Sequence, residues 1–253
     1  MAKKDFSKDK KTDKSKYIHQ DGKLQWDLNI RERKDLTDKQ KELIDIILNK
    51  KTKIVFINGP AGTSKTFLAV YCGLLLLNMK SVSNIMYIRT IIESASKSLG
   101  SLPGKESEKM EPFLMPLMDK LEEFISIGEI KKLNSENRIK GTPINYLRGA
   151  SLNAQYIIAD EAQNFSFKEL VTAISRLGEY SKLIVLLDPD QSDLNGKSGA
   201  LPMFDLFNDE SSKENGIHCF SFTKEDIVRS GILKYILEKV EAFRNTDSYK
   251  QLK

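Results

Sequence analysis

A lysine and a threonine that could bind phosphate and magnesium close a short loop in the first third of the chain. The loop reads Gly59-Pro60-Ala61-Gly62-Thr63-Ser64-Lys65-Thr66. An apolar run at 54–57 precedes it and an apolar helical run at 67–77 follows, the order strand, loop, helix. Backbone N–H groups of such a loop and the N-terminal end of its helix bind phosphate oxygens. We therefore predict a nucleotide site, with Lys65 on the β- and γ-phosphates and Thr66 on Mg²⁺.

One position of this loop departs from the pattern G-x-x-x-x-G-K-[ST]. Ser64 stands where the pattern has Gly. Gly is favoured there because the backbone must approach the phosphates without a Cβ atom. Ser is small and polar, and Gly62 keeps the middle of the loop flexible, so we expect nucleotide binding to survive at full or reduced affinity. The alternative is an ordinary strand-to-helix turn that carries Lys-Thr.

Two carboxylates end a second apolar run. Asp160 and Glu161 follow residues 156–159, about 95 residues after the loop. Asp160 is the candidate ligand of the Mg²⁺ that bridges the phosphates. Glu161, one residue further, is the candidate general base for the attacking water. The alternative is a solvated turn that caps the next helix, but the loop upstream favours the catalytic interpretation.

A third apolar run, at 183–187, also ends in polar residues. Asp188-Pro189-Asp190-Gln191 follow it, and polar groups at the carboxyl ends of parallel strands face the ligand edge of a sheet. The amide of Gln191 can both donate and accept, so it could orient water or sense the γ-phosphate. The alternative is a Pro-Asp turn.

Three arginines are candidates for a guanidinium that stabilises transition-state charge. Arg229, which follows the last predicted strand, is preferred, and Arg148 and Arg176 compete with it. A surface or helix-capping role stays open for each of them.

Hydrophobic periodicity supplies the elements that would position these residues. Thr37 with Gln40 three residues later forms a capping box, and an apolar helical face follows. Residues 100–104 form a turn-rich break. The predicted strands are 54–57, 82–88, 156–159, 183–187 and 220–222, and the other predicted helices are 67–77, 91–99, 110–127 and 232–243, the third of these interrupted by Pro112 and Pro116.

Composition restricts the class of protein. The chain has 253 residues and a formal charge of +5, enough for one large α/β domain or two small ones. It has no apolar run near the ~18–20 residues of a membrane span and no secretory signal pattern. The two cysteines and two histidines show no metal-binding spacing. We expect a reduced, cytoplasmic setting without membrane association.

The N-terminal residues differ in composition from the rest. Residues 1–35 hold eleven Lys or Arg and seven Asp or Glu. We expect a basic, flexible N-terminal tail there, with Trp26 and Leu28 docked on the body, and an ATPase domain over 36–253. The alternative for the tail is a non-specific arm that binds RNA or DNA phosphates.

Taken in order, these blocks resemble the PhoH-like ATPase family over roughly residues 36–242. The P-loop is common to many families, whereas the Leu-Pro-Gly, Leu-Arg-Gly and Asp-Glu-Ala-Gln-Asn blocks are far more specific. Besides the loop, the matching stretches are Ile88-Arg89-Thr90, Leu99-Gly100-Ser101-Leu102-Pro103-Gly104, Pro112-Phe113-Leu114-Met115-Pro116-Leu117-Met118-Asp119, Tyr146-Leu147-Arg148-Gly149, Ile158-Ala159-Asp160-Glu161-Ala162-Gln163-Asn164, Asp188-Pro189-Asp190-Gln191-Ser192-Asp193-Leu194 and Asp226-Ile227-Val228-Arg229.

The resemblance implies an α/β, RecA-like P-loop NTPase with a mostly parallel sheet flanked by helices, related to the N-terminal half of superfamily 1 helicases. It implies ATP and Mg²⁺ as cofactors, a homo-oligomeric ring, often a hexamer, and a link to RNA or single-stranded DNA. It also places Gln40 near the adenine, although Gln40 could simply cap its helix. Ser64, and Leu187-Asp188 in place of Gly-Asp, depart from the family pattern. So compact and divergent a version could be virus-encoded and act in a host cytoplasm.

Three functions fit these residues. The leading hypothesis is an ATPase that couples hydrolysis to remodelling of, or translocation on, RNA or single-stranded DNA, with helicase activity as one form of it. The second is a nucleotide-dependent RNA-binding regulatory module with little hydrolysis. A small-molecule kinase is disfavoured because no acceptor-binding lid is evident and an acid beside the metal ligand suits water.

Overall fold

A six-stranded parallel sheet forms the centre of the protein. The computed structural model describes residues 23–90, 106–147, 151–191, 198–228, 231–244 and 246. Within them the strand order is β3-β2-β4-β5-β1-β6, and every pairing is parallel. The strands are β1 (Ile54–Asn58), β2 (Asn84–Arg89), β3 (Ile139–Pro143), β4 (Gln155–Ala159), β5 (Lys182–Leu187) and β6 (Ile217–Ser221).

Helices cover both faces of this sheet. Along β1, Val55 and Ile57 join one buried apolar cluster and Ile54 and Phe56 join the other, because successive side chains of a strand point to opposite faces. The first cluster also contains α1 to α4 and the second contains α5 and α6. The helices are α1 (Asp38–Leu48), α2 (Lys65–Asn78), α3 (Glu106–Glu122), α4 (Ile127–Ser135), α5 (Phe167–Ser175), α6 (Ala200–Phe207), α7 (Glu210–Glu214) and α8 (Gly231–Arg244).

This architecture confirms the predicted α/β class with a mostly parallel sheet. The near-continuous apolar strands are those of a sheet buried on both faces. None of the helices in the described ranges has the length and apolar character that a bilayer crossing needs. Because all strands run the same way, their carboxyl ends meet at one edge. That edge brings together the loop after β1 and the residues that end β2, β4 and β5.

Several elements differ from the sequence prediction. Strand β3 was missed because Gly141 and Pro143 interrupt it and only one of its five residues is a large apolar one. The helix predicted at 110–127 is two helices: α3 contains both Pro112 and Pro116 and ends at Glu122. The last strand begins at Ile217 and not at 220. The helix predicted at 91–99 and the turn at 100–104 lie outside the described residues.

Residues 23–35 of the predicted N-terminal tail pack on the body of the domain. Leu24 and Leu28 are buried, in agreement with the expected docking of this segment. The indole N–H of Trp26 donates to Glu136 at 2.9 Å, and Arg31 donates to the backbone carbonyl of Glu122 at 3.0 Å. The segment therefore joins α3 and the end of α4 to the start of α1. Residues 1–22 lie outside the described residues.

A buried lysine connects α1 to β5. Lys182 donates to the backbone carbonyls of Asn49, which caps α1, and of Thr52, both at 2.6 Å. Burial lowers the pKa of Lys182 to about 8. Below that pH the ammonium is protonated in both the folded and unfolded states, and the penalty for burying it is present in full.

The lowered pKa of Lys182 predicts a pH-dependent stability. Between about pH 8 and 10.4 the unfolded chain binds more protons than the folded one, so the free energy of unfolding should rise with pH. We expect the wild type to gain about 1 kcal/mol relative to Lys182→Met between about pH 7.5 and 9.5, after allowance for solvent screening. Urea unfolding of both proteins checks this. A constant difference between them would contradict it.

Candidate active site

A cavity of about 500 Å³ opens at the carboxyl edge of the sheet. The loop after β1 and the ends of β4 and β5 form one end of it. The segment that leads into α1, together with Phe67 of α2, forms the other. Its walls are made by Arg33, Asp35, Leu36, Gln40, Ala61, Gly62, Ser64, Lys65, Thr66, Phe67, Lys120, Glu123, Asp160, Glu161, Gln163, Leu186, Leu187, Asp188, Gln191 and Val228.

The loop after β1 is closed on itself by hydrogen bonds. The Lys65 ammonium donates to the backbone carbonyls of Gly59 and Pro60, and the Thr63 hydroxyl donates to Pro60 at 2.9 Å. Gly59, Pro60 and Thr63 thus shape the loop, whereas Ala61, Gly62 and residues 64–66 line the cavity. Burial lowers the pKa of Lys65, and the negative charges of Asp188, Asp160 and Glu161 oppose that shift.

Ser64 has a backbone conformation that favours glycine. Its φ is +67° and its ψ is 26°, in the left-handed region. Gly is therefore favoured at this position for two reasons. It allows the phosphates to approach the backbone, and it readily adopts the dihedral angles with which the loop enters α2. A non-Gly residue there costs about 1–2 kcal/mol of backbone energy.

Two oxygen-bearing side chains that could hold a divalent cation lie in contact. The Thr66 hydroxyl lies 3.3 and 3.5 Å from the two carboxylate oxygens of Asp160. Hydroxyl and carboxylate oxygens are hard ligands that suit Mg²⁺, which usually takes one or two protein ligands and completes its shell with water and phosphate. In the described residues no group of three or more His, Cys, Asp or Glu side chains could hold a metal. The donor set thus fits a magnesium that nucleotide phosphates share.

Tyr87 orients the Asp160 carboxylate. Its hydroxyl donates to Asp160 Oδ2 at 2.6 Å from the neighbouring strand β2, and both groups are buried. Burial, together with the Asp160 charge, raises the pKa of Tyr87, so the hydroxyl stays protonated and remains a donor. The backbone N–H of Glu161 donates to the other oxygen of Asp160 at 3.0 Å.

Glu161 is held from two sides. Its φ of +55° is left-handed, an uncommon conformation for this residue type that often marks functional sites. Gln163 Nε2 donates to Glu161 Oε2 at 2.5 Å, and an Arg89 nitrogen lies 3.7 Å from Oε1. Gln163 Oε1 in turn accepts the backbone N–H of Asp188 at 3.0 Å. Arg89 thereby links the carboxylate to the end of β2, and Gln163 links it to the end of β5.

The remaining predicted residues fall into three groups. Gln191 is exposed at the cavity, and Gln40 lines it while also completing the predicted capping box with Thr37. Gln40 Oε1 accepts the Thr37 N–H at 3.1 Å, so the capping role is real and the cavity position leaves the adenine role open. Arg176 caps α5 and does not line the cavity. Arg148 and Arg229 lie outside the described residues.

The segment after β6 contacts the loop directly. Phe222 donates its backbone N–H to Asn58 at 2.8 Å, and Val228 donates to the Gly62 carbonyl at 3.2 Å. Between them Asp226 pairs with Lys39 of α1 at 2.7 Å. Residues 222–228 therefore brace the loop from the edge of the sheet.

Sequence analysis missed four residues of this site as individual candidates: Tyr87, Arg89, Gln163 and Asp188. Asp188 was predicted to lie at the ligand edge of the sheet because it follows a strand, and Arg89 follows the predicted strand 82–88 in the same way, but neither was given a role in the reaction. Gln163 lies in the block that carries Asp160 and Glu161. Tyr87 had no signal, because it reads as one more apolar residue of a buried strand.

Comparisons with known proteins decide the family. The family model described as "PhoH-like protein" matches residues 33–241.

The chain belongs to the PhoH-like protein family.

Curated PhoH-like proteins are similar to most of this chain. Those of Mycobacterium bovis and Synechocystis are 36% identical over 83% of it and that of Bacillus subtilis is 35% identical over 75%. The chain spans only 58% of the Mycobacterium bovis and Bacillus subtilis proteins and 62% of the Synechocystis one. A solved Pif1 helicase, from a study of DNA unwinding at forked dsDNA, aligns with a TM-score of 0.41 and 17% identity over 86% of this chain and 50% of its own.

The Tyr87 contact provides a test of the candidate cation site in this PhoH-like protein. Tyr87→Phe removes only the hydroxyl that donates to Asp160. Loss of such an orienting partner typically weakens metal affinity or activity about 10- to 100-fold. If Asp160 holds Mg²⁺ for ATP turnover, the variant should need a correspondingly higher Mg²⁺ concentration than the wild type, measured by titration.

Tyr156→Phe is the matched control for Tyr87→Phe. Tyr156 is buried on β4 and donates to the backbone carbonyl of Ala69 at 2.8 Å, so the control loses one buried hydrogen bond of similar length away from the site. Equal Mg²⁺ dependence in the two variants would refute the orienting role of Tyr87.

Proposed function

We propose that this protein binds ATP with Mg²⁺, hydrolyses it, and couples hydrolysis to remodelling of, or translocation on, RNA or single-stranded DNA as a ring oligomer, most simply a hexamer. The hydrolytic part of this proposal rests on one observation, that the residues suited to bind phosphate, hold the cation and act as the base all line the same cavity. Two separate chain segments supply these groups to one cavity: the loop after β1 supplies Lys65 and Thr66, and the end of β4 supplies Asp160 and Glu161. A phosphate clamp, a cation site and a base at one triphosphate are the parts that hydrolysis needs.

Each of these residues has a definite task in the proposed reaction. Thr66 and Asp160 would hold Mg²⁺, which neutralises phosphate charge when bound. Lys65, with the backbone N–H groups of its loop, would bind the β- and γ-phosphates. Glu161 would accept a proton from a water molecule as the water oxygen bonds to the γ-phosphorus and the bond to the β–γ bridging oxygen breaks. Gln191, which lines the same cavity, would orient that water.

The other end of the cavity suits a purine base and its ribose. The Arg33 guanidinium lies 4.7 Å from the centre of the Phe67 ring and pairs with Asp35 at 2.7 Å. Gln40 and Leu36 complete this end. The planar and polar groups support adenine binding there, with Gln40 contacting the base while it caps α1.

Helix α8 supports assembly with a second copy of the chain. Its described side chains are exposed, including Ile232 (63%), Tyr235 (55%), Ile236 (47%) and Val240 (42%) at helical spacing. A 14-residue helix is marginal in water unless an apolar face is packed. A neighbouring copy that covers this stripe would stabilise α8, and a heterologous contact of this kind closes into a ring when its rotation closes.

The α8 stripe predicts an oligomer that one charge can weaken. Ile236→Asp places a carboxylate in the centre of the stripe, and burying it would cost several kcal/mol. We expect sedimentation velocity to show an assembly for the wild type and mainly monomer for the variant. Ile127→Asp, at a similarly exposed isoleucine on α4, is the control and should leave the assembly intact. Identical sedimentation of wild type and Ile236→Asp would contradict the interface.

A nucleotide-dependent regulatory module with little hydrolysis is the second candidate. Ser64 favours it, because a strained residue at this position could slow turnover. One assay separates the two functions: turnover of ATP with Mg²⁺ measured without polymer, with single-stranded RNA and with single-stranded DNA. A coupled ATPase is stimulated by one polymer, whereas a module binds polymer with no rise in turnover. Absence of any Mg²⁺-dependent turnover would refute the ATPase.

A further inference from the structure

The ion pair between Arg89 and Glu161 links the site to the outer part of the same sheet edge. Arg89 is the last residue of β2, which lies between β3 and β4. On one side, Ile88 is opposite Ala159, so Arg89 reaches Glu161 just beyond the end of β4. On the other, Arg89 is opposite Pro143, the last residue of β3. Along this edge, Arg89 therefore lies between the candidate base and the outer strand β3.

An exposed aromatic ring follows β3 at this edge. Tyr146 lies three residues beyond Pro143 in the short helical turn Ile144–Leu147 and is 69% exposed. Ile144 and Leu147, on either side of it, are 1% and 2% exposed, so the turn is anchored and the ring is held out in solvent. An exposed aromatic ring on an anchored turn is a stacking platform for an unpaired base.

Glu161 and a bound anion would compete for the guanidinium of Arg89. Both partners of the pair are about one-third exposed, 30% for Arg89 and 33% for Glu161, so a ligand at the edge can reach the guanidinium. Arg binds phosphate oxygens through paired N–H groups, a stronger contact than an ion pair at 3.7 Å. While Arg89 and Gln163 contact its two oxygens, the Glu161 carboxylate is held in one position.

We propose that Arg89 restrains Glu161 until a phosphodiester of single-stranded nucleic acid, stacked on Tyr146, takes its guanidinium. This coupling rests on the proposed ATPase function and specifies its regulation. Release of Glu161 raises turnover, and linkage requires the reverse as well: loss of the Glu161 charge must strengthen binding of the nucleic acid. Arg89 acts on the reaction through Glu161 and is a positioning residue.

The decisive experiment measures binding without nucleotide. Fluorescence anisotropy is recorded with uridine and deoxythymidine oligonucleotides of about 20 nucleotides, which distinguish RNA from DNA. Glu161→Gln should bind one of them about two- to fivefold more tightly than the wild type, the range expected for an exposed ion pair. Arg89→Gln and Tyr146→Ala should bind it about three- to tenfold more weakly. Unchanged affinity of Glu161→Gln for both polymers overturns the proposal.

Turnover supplies the second readout. Arg89→Gln should raise polymer-free ATP turnover about two- to fivefold, and stimulation by polymer should fall towards one. Lys53→Gln removes a positive charge at the opposite, amino end of β1 and should change neither quantity. Lower polymer-free turnover with unchanged stimulation in Arg89→Gln overturns the restraint. If the wild type has no turnover at all, the proposed ATPase falls, while the Glu161→Gln binding result still tests the competition for Arg89.

Discussion

Glu161→Gln should lower kcat for ATP hydrolysis by about 10²- to 10⁴-fold, the usual contribution of general-base catalysis. The substitution keeps the shape of the side chain and an oxygen that can accept from Gln163, but an amide cannot accept the proton of the attacking water. Because Glu161 is not assigned to a phosphate or to the cation, nucleotide affinity should stay near the wild-type value. Single-turnover kinetics and equilibrium binding of a fluorescent ATP analogue measure the two quantities.

A matched variant separates the loss of a base from the loss of a charge. Glu179 is exposed in the loop before β5, at the opposite end of the sheet, so Glu179→Gln makes the same chemical change away from the cavity. It should leave kcat unchanged. If Glu161→Gln hydrolyses ATP at the wild-type rate, Glu161 is not the base, and the carboxylate of Asp188 becomes the group to examine.

Lys65→Ala should reduce both binding and turnover, with a loss in kcat of about 10²- to 10³-fold, the scale found when one preorganised group at a developing charge is removed. The ammonium is partly buried and already bonded to the carbonyls of Gly59 and Pro60, so its position is set by the loop before any ligand arrives. The carboxylates of Asp188, Asp160 and Glu161 offset part of the penalty for burying this charge, and the pKa of Lys65 remains lowered.

The Lys65 prediction also has a matched control. Lys53→Ala removes an exposed lysine at the amino end of β1, the strand that carries the loop at its other end. Isothermal titration with ATP and steady-state kinetics should show the loss only in Lys65→Ala. Wild-type affinity in Lys65→Ala would mean that the loop does not hold the triphosphate. Circular dichroism of both variants excludes unfolding as the cause of a loss.

Local patterns made the strands and the loop predictable. The apolar runs before Gly59, Asp160 and Asp188 are long enough to specify buried parallel strands, and the capping box at Thr37 and Gln40 specifies the start of α1. Strand β3 was not predictable because Gly141 and Pro143 weaken its local signal, and its pairing with β2 stabilises it instead. Tertiary context thus overrides local propensity at the edge of the sheet.

The contacts that orient the site could not be read from the sequence. Tyr87 and Asp160 are separated by 73 positions, and only the pairing of β2 with β4 brings them within hydrogen-bonding distance. The left-handed conformations of Ser64 and Glu161 also arise from the loops around them, since both residue types usually avoid that region. Residue types therefore indicated the chemistry, while strand order determined which side chains support it.

The brace formed by residues 222–228 has a mechanical consequence. The same short segment that holds the loop at Asn58 and Gly62 leads, within a few residues, into the apolar helix α8. A neighbouring subunit that binds α8 would therefore act on the phosphate-binding loop through a connection of only a few residues. Subunit assembly at α8 and nucleotide binding at the loop would then be coupled, because a displacement of α8 would also displace the loop.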